Sequence, residues 1–170
     1  GARGRTTKVK GTEGIEVPDS SVQASAAYSK AETDAKYDKG PAFTGTINSQ
    51  TVGTSFQILT VNEVTDSDNC FSNNKFTPNV PGWYQINLNI STNQNDNWTN
   101  ASIGVNGASG YRVSVPGAPA GVGGGGYVEV SALVYMNGTA DYVQAFGSIS
   151  IAGFSVVSGS FSGFLARRAS

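Results

Sequence analysis

The side chains able to do chemistry in this 170-residue chain are few, and their spacing suits little of it. Histidine is absent, which removes Ser-His-Asp and Cys-His nucleophile arrangements and every His-based zinc site. From Ala42 onward the acids are Glu63, Asp66, Asp68, Asp96, Glu129 and Asp141. A glycosidase needs two carboxylates flanking one cleft. Only Asp66 and Asp68 are close together, in a stretch (residues 65–74) that reads as a polar loop. Asp66-Ser67-Asp68-Asn69 begins like a calcium loop, but Cys70 takes the fifth position, where an oxygen ligand belongs, and no glycine follows it. A solvated acidic loop is the default, with a looser surface calcium site as the alternative. Cys70 is the only cysteine, so no intrachain disulfide exists, and it is expected to be a small buried hydrophobe. The glycine run 123–126 offers amides for a phosphate, yet neither Lys-Ser/Thr nor a helix follows, so 116–126 reads as a surface loop. The expectation is a protein that is not an enzyme, with no catalytic residues, no cofactor and no metal.

Binding residues are easier to nominate. Trp98 lies between Asn97 and Asn100, and an aromatic among amides and hydroxyls suits sugar stacking with hydrogen bonds. The competing reading has Trp98 capping the fold or packing on a neighbouring subunit. Asn89, Asn97, Asn100 and Asn137 each begin an Asn-x-Ser/Thr triplet, a frequency expected by chance in a chain so rich in these residues. Thirteen of the 23 charged residues fall in the first 40 positions, and the first ten hold Arg3, Arg5, Lys8 and Lys10 with no acid. Such a run either sits in solvent or meets an anionic surface. Ile15 and Val17 are the apolar anchors that would accompany it. Neither a bilayer-spanning run of ~20 apolar residues nor a secretory leader pattern is visible. No membrane or nucleic-acid contact is expected.

The elements that must position these residues divide the chain in three. Residues 1–27 lack any period and cannot bury enough apolar area to offset their ordering entropy, so they read as an extended arm. Residues 28–40 read as a short helix: Ser29 and Glu32 form a capping box, Ala27, Ala31 and Ala35 share a face, and Gly40-Pro41 ends it. Residues 41–170 read as all-β. The clearest strand is 83–90, with Tyr84, Ile86, Leu88 and Ile90 facing one way and Trp83, Gln85, Asn87 and Asn89 the other. Further strands are expected at 42–48, 54–62, 100–106, 110–115, 127–136, 140–151 and 154–166. Asn106-Gly107 and Asn137-Gly138 mark turns, and the spacing points to a β-sandwich or jelly roll. Strand 127–136 is apolar on both faces: Val128, Val130, Ala132 and Val134 on one, Tyr127, Leu133 and Tyr135 on the other. One face can serve the core and the other a subunit contact.

Two strings carry a resemblance. Phe76-Thr77-Pro78-Asn79-Val80-Pro81-Gly82-Trp83-Tyr84-Gln85-Ile86 resembles the F-T-x-x-V-P-G-x-Y segment of C1q-like (tumour-necrosis-factor-like) domains. Phe161-Ser162-Gly163-Phe164-Leu165 is similar to the string near the end of the same domains, in the same order and at a similar separation. The resemblance covers about residues 42–168. It implies a ten-stranded jelly roll assembled as a homotrimer around an apolar axis, with Phe76, Tyr84, Ile86, Leu133, Tyr135, Phe161, Phe164 and Leu165 packing the core or the trimer. The family's usual Gly-Asp after an apolar strand is replaced here by Gly138-Thr139-Ala140-Asp141. Residues 28–37 resemble segments of bacteriophage fibre and appendage proteins that precede a trimeric head.

Together these resemblances imply a virion-surface protein. The first expectation is a trimeric knob fixed by its arm to the major capsid protein or another virion protein, as a decoration, cement or head-fibre protein. The alternative is the receptor-binding tip of a tail fibre or needle that reads a host-surface glycan or protein, which would call for a long fibrous region upstream. A third is a secreted C1q-like recognition protein.

Overall fold

The computed structural model describes residues 9–10, 14–15, 40–92, 98–116, 125–150 and 155–169. The chain divides into two compact units, Gly1–Lys39 and Gly40–Ser170. In the first, β1 (Val9–Lys10) and β2 (Gly14–Ile15) pair antiparallel, Val9 opposite Ile15 and Lys10 opposite Gly14. The sequence did not suggest this pairing; four residues of backbone ladder need no hydrophobic period. The expected helix at 28–40 lies outside the described residues, except for Gly40.

The second unit is built from strands: β3 (Ala42–Thr51), β4 (Gln57–Ile58), β5 (Asn62–Asp66), β6 (Phe71–Ser72), β7 (Lys75–Phe76), β8 (Gly82–Thr92), β9 (Trp98–Val105), β10 (Ala108–Pro116), β11 (Tyr127–Met136), β12 (Val143–Ile149) and β13 (Ser155–Arg168). One sheet runs β11-β8-β13-β3-β5. The other runs β10-β9-β12-β7-β6, with β4 added beside β12. All pairings are antiparallel. From β8 onward the chain alternates between sheets except at the β9–β10 hairpin, which is the wiring of a jelly roll.

The alternation read at residues 83–90 is realised. Tyr84, Ile86, Leu88 and Ile90 are buried, and Trp83 on the other side is 43% exposed. On β11 the buried side is Val128, Val130, Ala132, Val134 and Met136. At one end of the sandwich the core is aromatic. The Phe43 ring lies 4.4 Å from Phe76, 5.0 Å from Phe71 and 5.0 Å from Phe161, and Phe76 meets Tyr84 edge-on at 5.7 Å. Gly163 lets the last strand close over this cluster, since a Cβ there would lie 2.6 Å from Ile86 and 2.8 Å from Phe43. Toward the other end the core is aliphatic, with Ile47, Leu59, Ile90, Val128 and Ile149.

Three readings of the sequence need correction. Residues 54–62 do not form one strand: only Gln57–Ile58 pairs with β12, and the next strand starts at Asn62. Residues 65–74 are more than a polar loop. Thr65 and Asp66 end β5, and β6 and β7 form a hairpin through Asn73-Asn74, both at positive φ (50° and 60°). Asparagine visits that region more readily than other non-glycine residues, and Asn74 Oδ1 also accepts the Val61 amide at 2.9 Å, tying the hairpin to the start of β5. Lastly, the strands flanking Asn137-Gly138 do not pair with each other. β11 pairs with β8 and β12 with β9, so this turn crosses between the sheets.

Candidate functional site

Two of the body's acids are engaged in its turns. Asp66 is held by its own loop, accepting the Phe71 amide at 2.7 Å and the Asp68 amide at 3.4 Å. Asp141 closes the inter-sheet turn by accepting the Asn137 amide at 3.0 Å and the Asn106 side-chain amide at 2.9 Å. Among the described residues no three His, Cys, Asp or Glu side chains come together as metal ligands. Cys70 is buried, as expected, and burial raises its thiol pKa, reinforced by Asp66 and Asp68 against the backbone bond at Asn79. Burial likewise raises the Tyr84 phenol far above its usual value, with the Cys70 charge reinforcing and Arg168 opposing. Its hydroxyl donates to the Val80 carbonyl at 2.6 Å. This bond explains the four-residue spacing of Val80 and Tyr84 in the motif: the loop entering β8 is tied to the strand it feeds.

The candidate site is instead the outward face of β11-β8-β13. Its strand register sets the side chains in rows. Tyr135, Trp83 and Arg167 form the first row, and Leu133, Gln85 and Phe164 the second. Ser131, Asn87 and Ser162 follow, then Glu129, Asn89 and Ser160, then Tyr127, Ser91 and Ser158. The first two rows are apolar for a surface. Leu133 is 49% exposed, Phe164 49% and Tyr135 45%, and the Trp83 and Tyr135 rings meet edge-on at 5.5 Å. The middle rows are a hydrogen-bonded ladder: Gln85 donates to Ser131 (2.7 Å), Ser131 to Asn87 (2.6 Å) and Asn89 to Ser160 (2.5 Å). A contiguous patch of large half-exposed side chains on a rigid sheet marks an interaction surface.

The residues nominated from sequence sort into three groups. Phe76, Tyr84, Ile86 and Phe161 are fully buried, and Leu165 is partly buried against the same core. Leu133, Tyr135 and Phe164 lie on the outward face, where Trp83 joins them. Trp98 begins β9, 48% exposed, with its amide donating to Ser150 Oγ at 3.1 Å. Asn100 sits two residues on, its side chain held between Ser114 (2.5 Å) and Ser148 (3.2 Å). Arg3, Arg5, Lys8, Val17 and Asn97 lie outside the described residues, and Lys10 and Ile15 belong to the small hairpin. Sequence reasoning did not single out Trp83, Arg167 and Arg168. The alternation placed Trp83 on the polar side of its strand, and nothing in the order of residues shows that Tyr135 is its cross-strand neighbour.

No family profile matches the chain, and no curated protein sequence matches it. Solved structures do. PRD1 vertex protein P5 superposes with a TM-score of 0.56 at 13% identity, over 74% of this chain and 96% of that one. Murine APRIL, crystallised at pH 8.5, gives 0.54 at 8% identity over 75% of this chain and 100% of that one. The body shares the jelly-roll fold of these two structures. At these identities the likeness is one of fold.

Proposed function

We propose that this chain is a non-enzymatic phage virion protein. Its jelly-roll knob trimerises through the outward face of β11-β8-β13, and residues 1–27 mount it on the capsid surface as a decoration, cement or head-fibre protein. The observation that carries the reading is the apolar end of that face. Trp83, Leu133, Tyr135 and Phe164 stand half-exposed on one side of a sheet whose other side packs on the core. Leu133 and Phe164 are each 49% exposed, so covering them with neighbouring copies is worth about 0.8–1.5 kcal/mol each, and the polar ladder beside them fixes register at little desolvation cost because its members already bond one another. The likeness in fold to a phage vertex protein supports the virion setting. The segregation of charge supports the mount: Arg3, Arg5, Lys8 and Lys10 crowd the first ten residues, while the 130 residues from position 41 on carry only ten charges. Three arms on one trimer raise the effective concentration of each, so weak individual contacts with the major capsid protein give firm attachment.

The test is attachment of the full chain and of a chain lacking residues 1–27 to particles stripped of it. The full chain is expected to bind at a copy number on the order of hundreds per particle and the truncated chain to stay in solution, since multivalent attachment is lost with the arms. Binding that survives truncation overturns the role of the arm. Saturation at a handful of copies favours the second reading, a receptor-binding tip. That reading has its own observation: Trp98 is exposed where β9 leaves the 93–97 segment, beside Asn100, in the setting expected of a glycan contact.

A further inference from the structure

The outward face of the other sheet, where β4 lies beside β12 in the order β10-β9-β12, carries a polar row of its own. Along β9, Trp98, Asn100 and Ser102 alternate onto that face, while Ala101 and Ile103 pack in the core. The register places Asn100 between Ser114 and Ser148, and Ser102 between Arg112 and Phe146. Asn100 accepts from Ser114 at 2.5 Å and donates to Ser148 at 3.2 Å. Its amide is thereby fixed, with one further donor and one further acceptor position to offer. Ser102 differs: it is fully buried, and its hydroxyl finds no hydrogen-bond partner among the described residues. What lies over it follows from strand order. β10 and β4 stand three strand spacings apart, roughly 14 Å. Yet the Arg112 guanidinium lies 5.0 Å from the ring centre of Phe56, the residue before β4. The two side chains therefore meet above β9 and β12, bridging the row that holds Ser102. Arg112 is fastened there by donating to the Ser109 carbonyl at 3.2 Å and the Ser109 hydroxyl at 2.6 Å. The Phe146 ring blocks the far end of the row, lying where any Cβ on Gly104 would fall.

We propose that this row binds a neutral oligosaccharide: Trp98 stacks on a sugar ring, Asn100 and Ser102 bond its hydroxyls, and the Phe56–Arg112 bridge lifts to admit it. The inference rests on the second reading's Trp98 as a glycan contact. It is independent of trimerisation, since it uses the other sheet. The side chains select the ligand class. Trp98 stands 48% exposed at the open end, its backbone pinned by the bond to Ser150. Beyond it the row offers amide and hydroxyl groups, and the one charged side chain, Arg112, is committed to Ser109 and Phe56. A polypeptide strand adds to the edge of a sheet through its backbone, and this is a face. A ligand opens a closed site only by interacting better with the open form. Ser102 supplies that difference, because its hydroxyl lacks a partner under the bridge and gains one when a sugar hydroxyl reaches it. The bridge opposes little, being a cation–π contact made by an exposed arginine.

The experiment titrates the full chain with neutral hexasaccharides of glucose, mannose, galactose and N-acetylglucosamine, reading indole NMR shifts and intrinsic fluorescence. At least one is expected to bind saturably, about tenfold weaker in W98A and about fivefold weaker in S102A. F56A removes the bridge and is expected to tighten binding about threefold, since opening no longer opposes it. That variant keeps the test decisive should S102A fold poorly, because a misfolded chain does not bind more tightly. Saturable binding that S102A and F56A leave unchanged overturns the inference while keeping Trp98 as a glycan contact. Binding that W98A leaves unchanged overturns both, as does failure of all four sugars to saturate. Tighter binding of hexagalacturonate than of the galactose hexasaccharide would assign the face to an anion and also overturn the inference.

Discussion

Tyr84 concentrates several demands in one side chain. It fills the aromatic end of the core, ties its hydroxyl to Val80 at 2.6 Å and stays protonated in an environment that resists its charge. Cys70 is likewise held as the neutral thiol. In the unfolded chain the two groups lose their protons near 9.0 and 10.0. The fold keeps both protonated to higher pH, so above about pH 9 the native state binds more protons than the unfolded one and stability falls as pH rises. Their contribution is complete below pH 9.0 and is lost on the alkaline side. Urea unfolding midpoints are therefore expected to be flat through neutrality and to drop above pH 9. Tyr84→Phe should cost about 1 kcal/mol at pH 7, the net worth of its hydrogen bond, and should make the alkaline drop shallower. An alkaline limb as steep in Tyr84→Phe as in the native chain would refute the assignment.

Turns and strands differ in how plainly residues announce them. Asn106-Gly107 is a two-residue connection between β9 and β10 with both residues at positive φ, 51° and 83°, the geometry that favours this dipeptide. Asn137-Gly138 has the same letters and another role. Asn137 Oδ1 accepts the amides of Thr139, Ala140 and Asp141 at 2.9–3.1 Å, and its own amide donates to Asp141. The two residues inserted before Asp141 let one side chain organise a longer crossing from sheet to sheet. Asn137→Ala removes that acceptor and is expected to lower stability by about 1–2 kcal/mol in thermal unfolding; no loss would show the turn to be held by its ends alone. The strands at 83–90 and 127–136 were legible because both pack one face on the core and repeat every second residue. The stretch 54–62 was misread because apolar Phe56, Ile58 and Leu59 mimic a strand where the chain crosses the sheet edge with only two paired residues. The edge-on pair of Trp83 and Tyr135 was not legible at all, since it depends on the register of β11 on β8 that no local pattern encodes.

At the scale of the molecule the proposed function assigns two tasks to separate parts of the chain. Charge gathers in the first 40 residues, which the proposed function uses for attachment, and apolar side chains gather on one sheet face, which it uses for assembly. The outward face is where the account is most exposed, because a sheet face bearing Trp83, Leu133, Tyr135 and Phe164 needs a cover and identical copies are the cover proposed. The most direct measurement is the molar mass of the full chain by light scattering at micromolar concentration, for the native sequence and for Leu133→Lys/Phe164→Lys. The native chain is expected at three times its 17.6 kDa. The double variant keeps the buried side of the sheet intact and is expected at the monomer mass with an unchanged β-sheet circular-dichroism spectrum. A native chain that runs as a clean monomer would contradict the account.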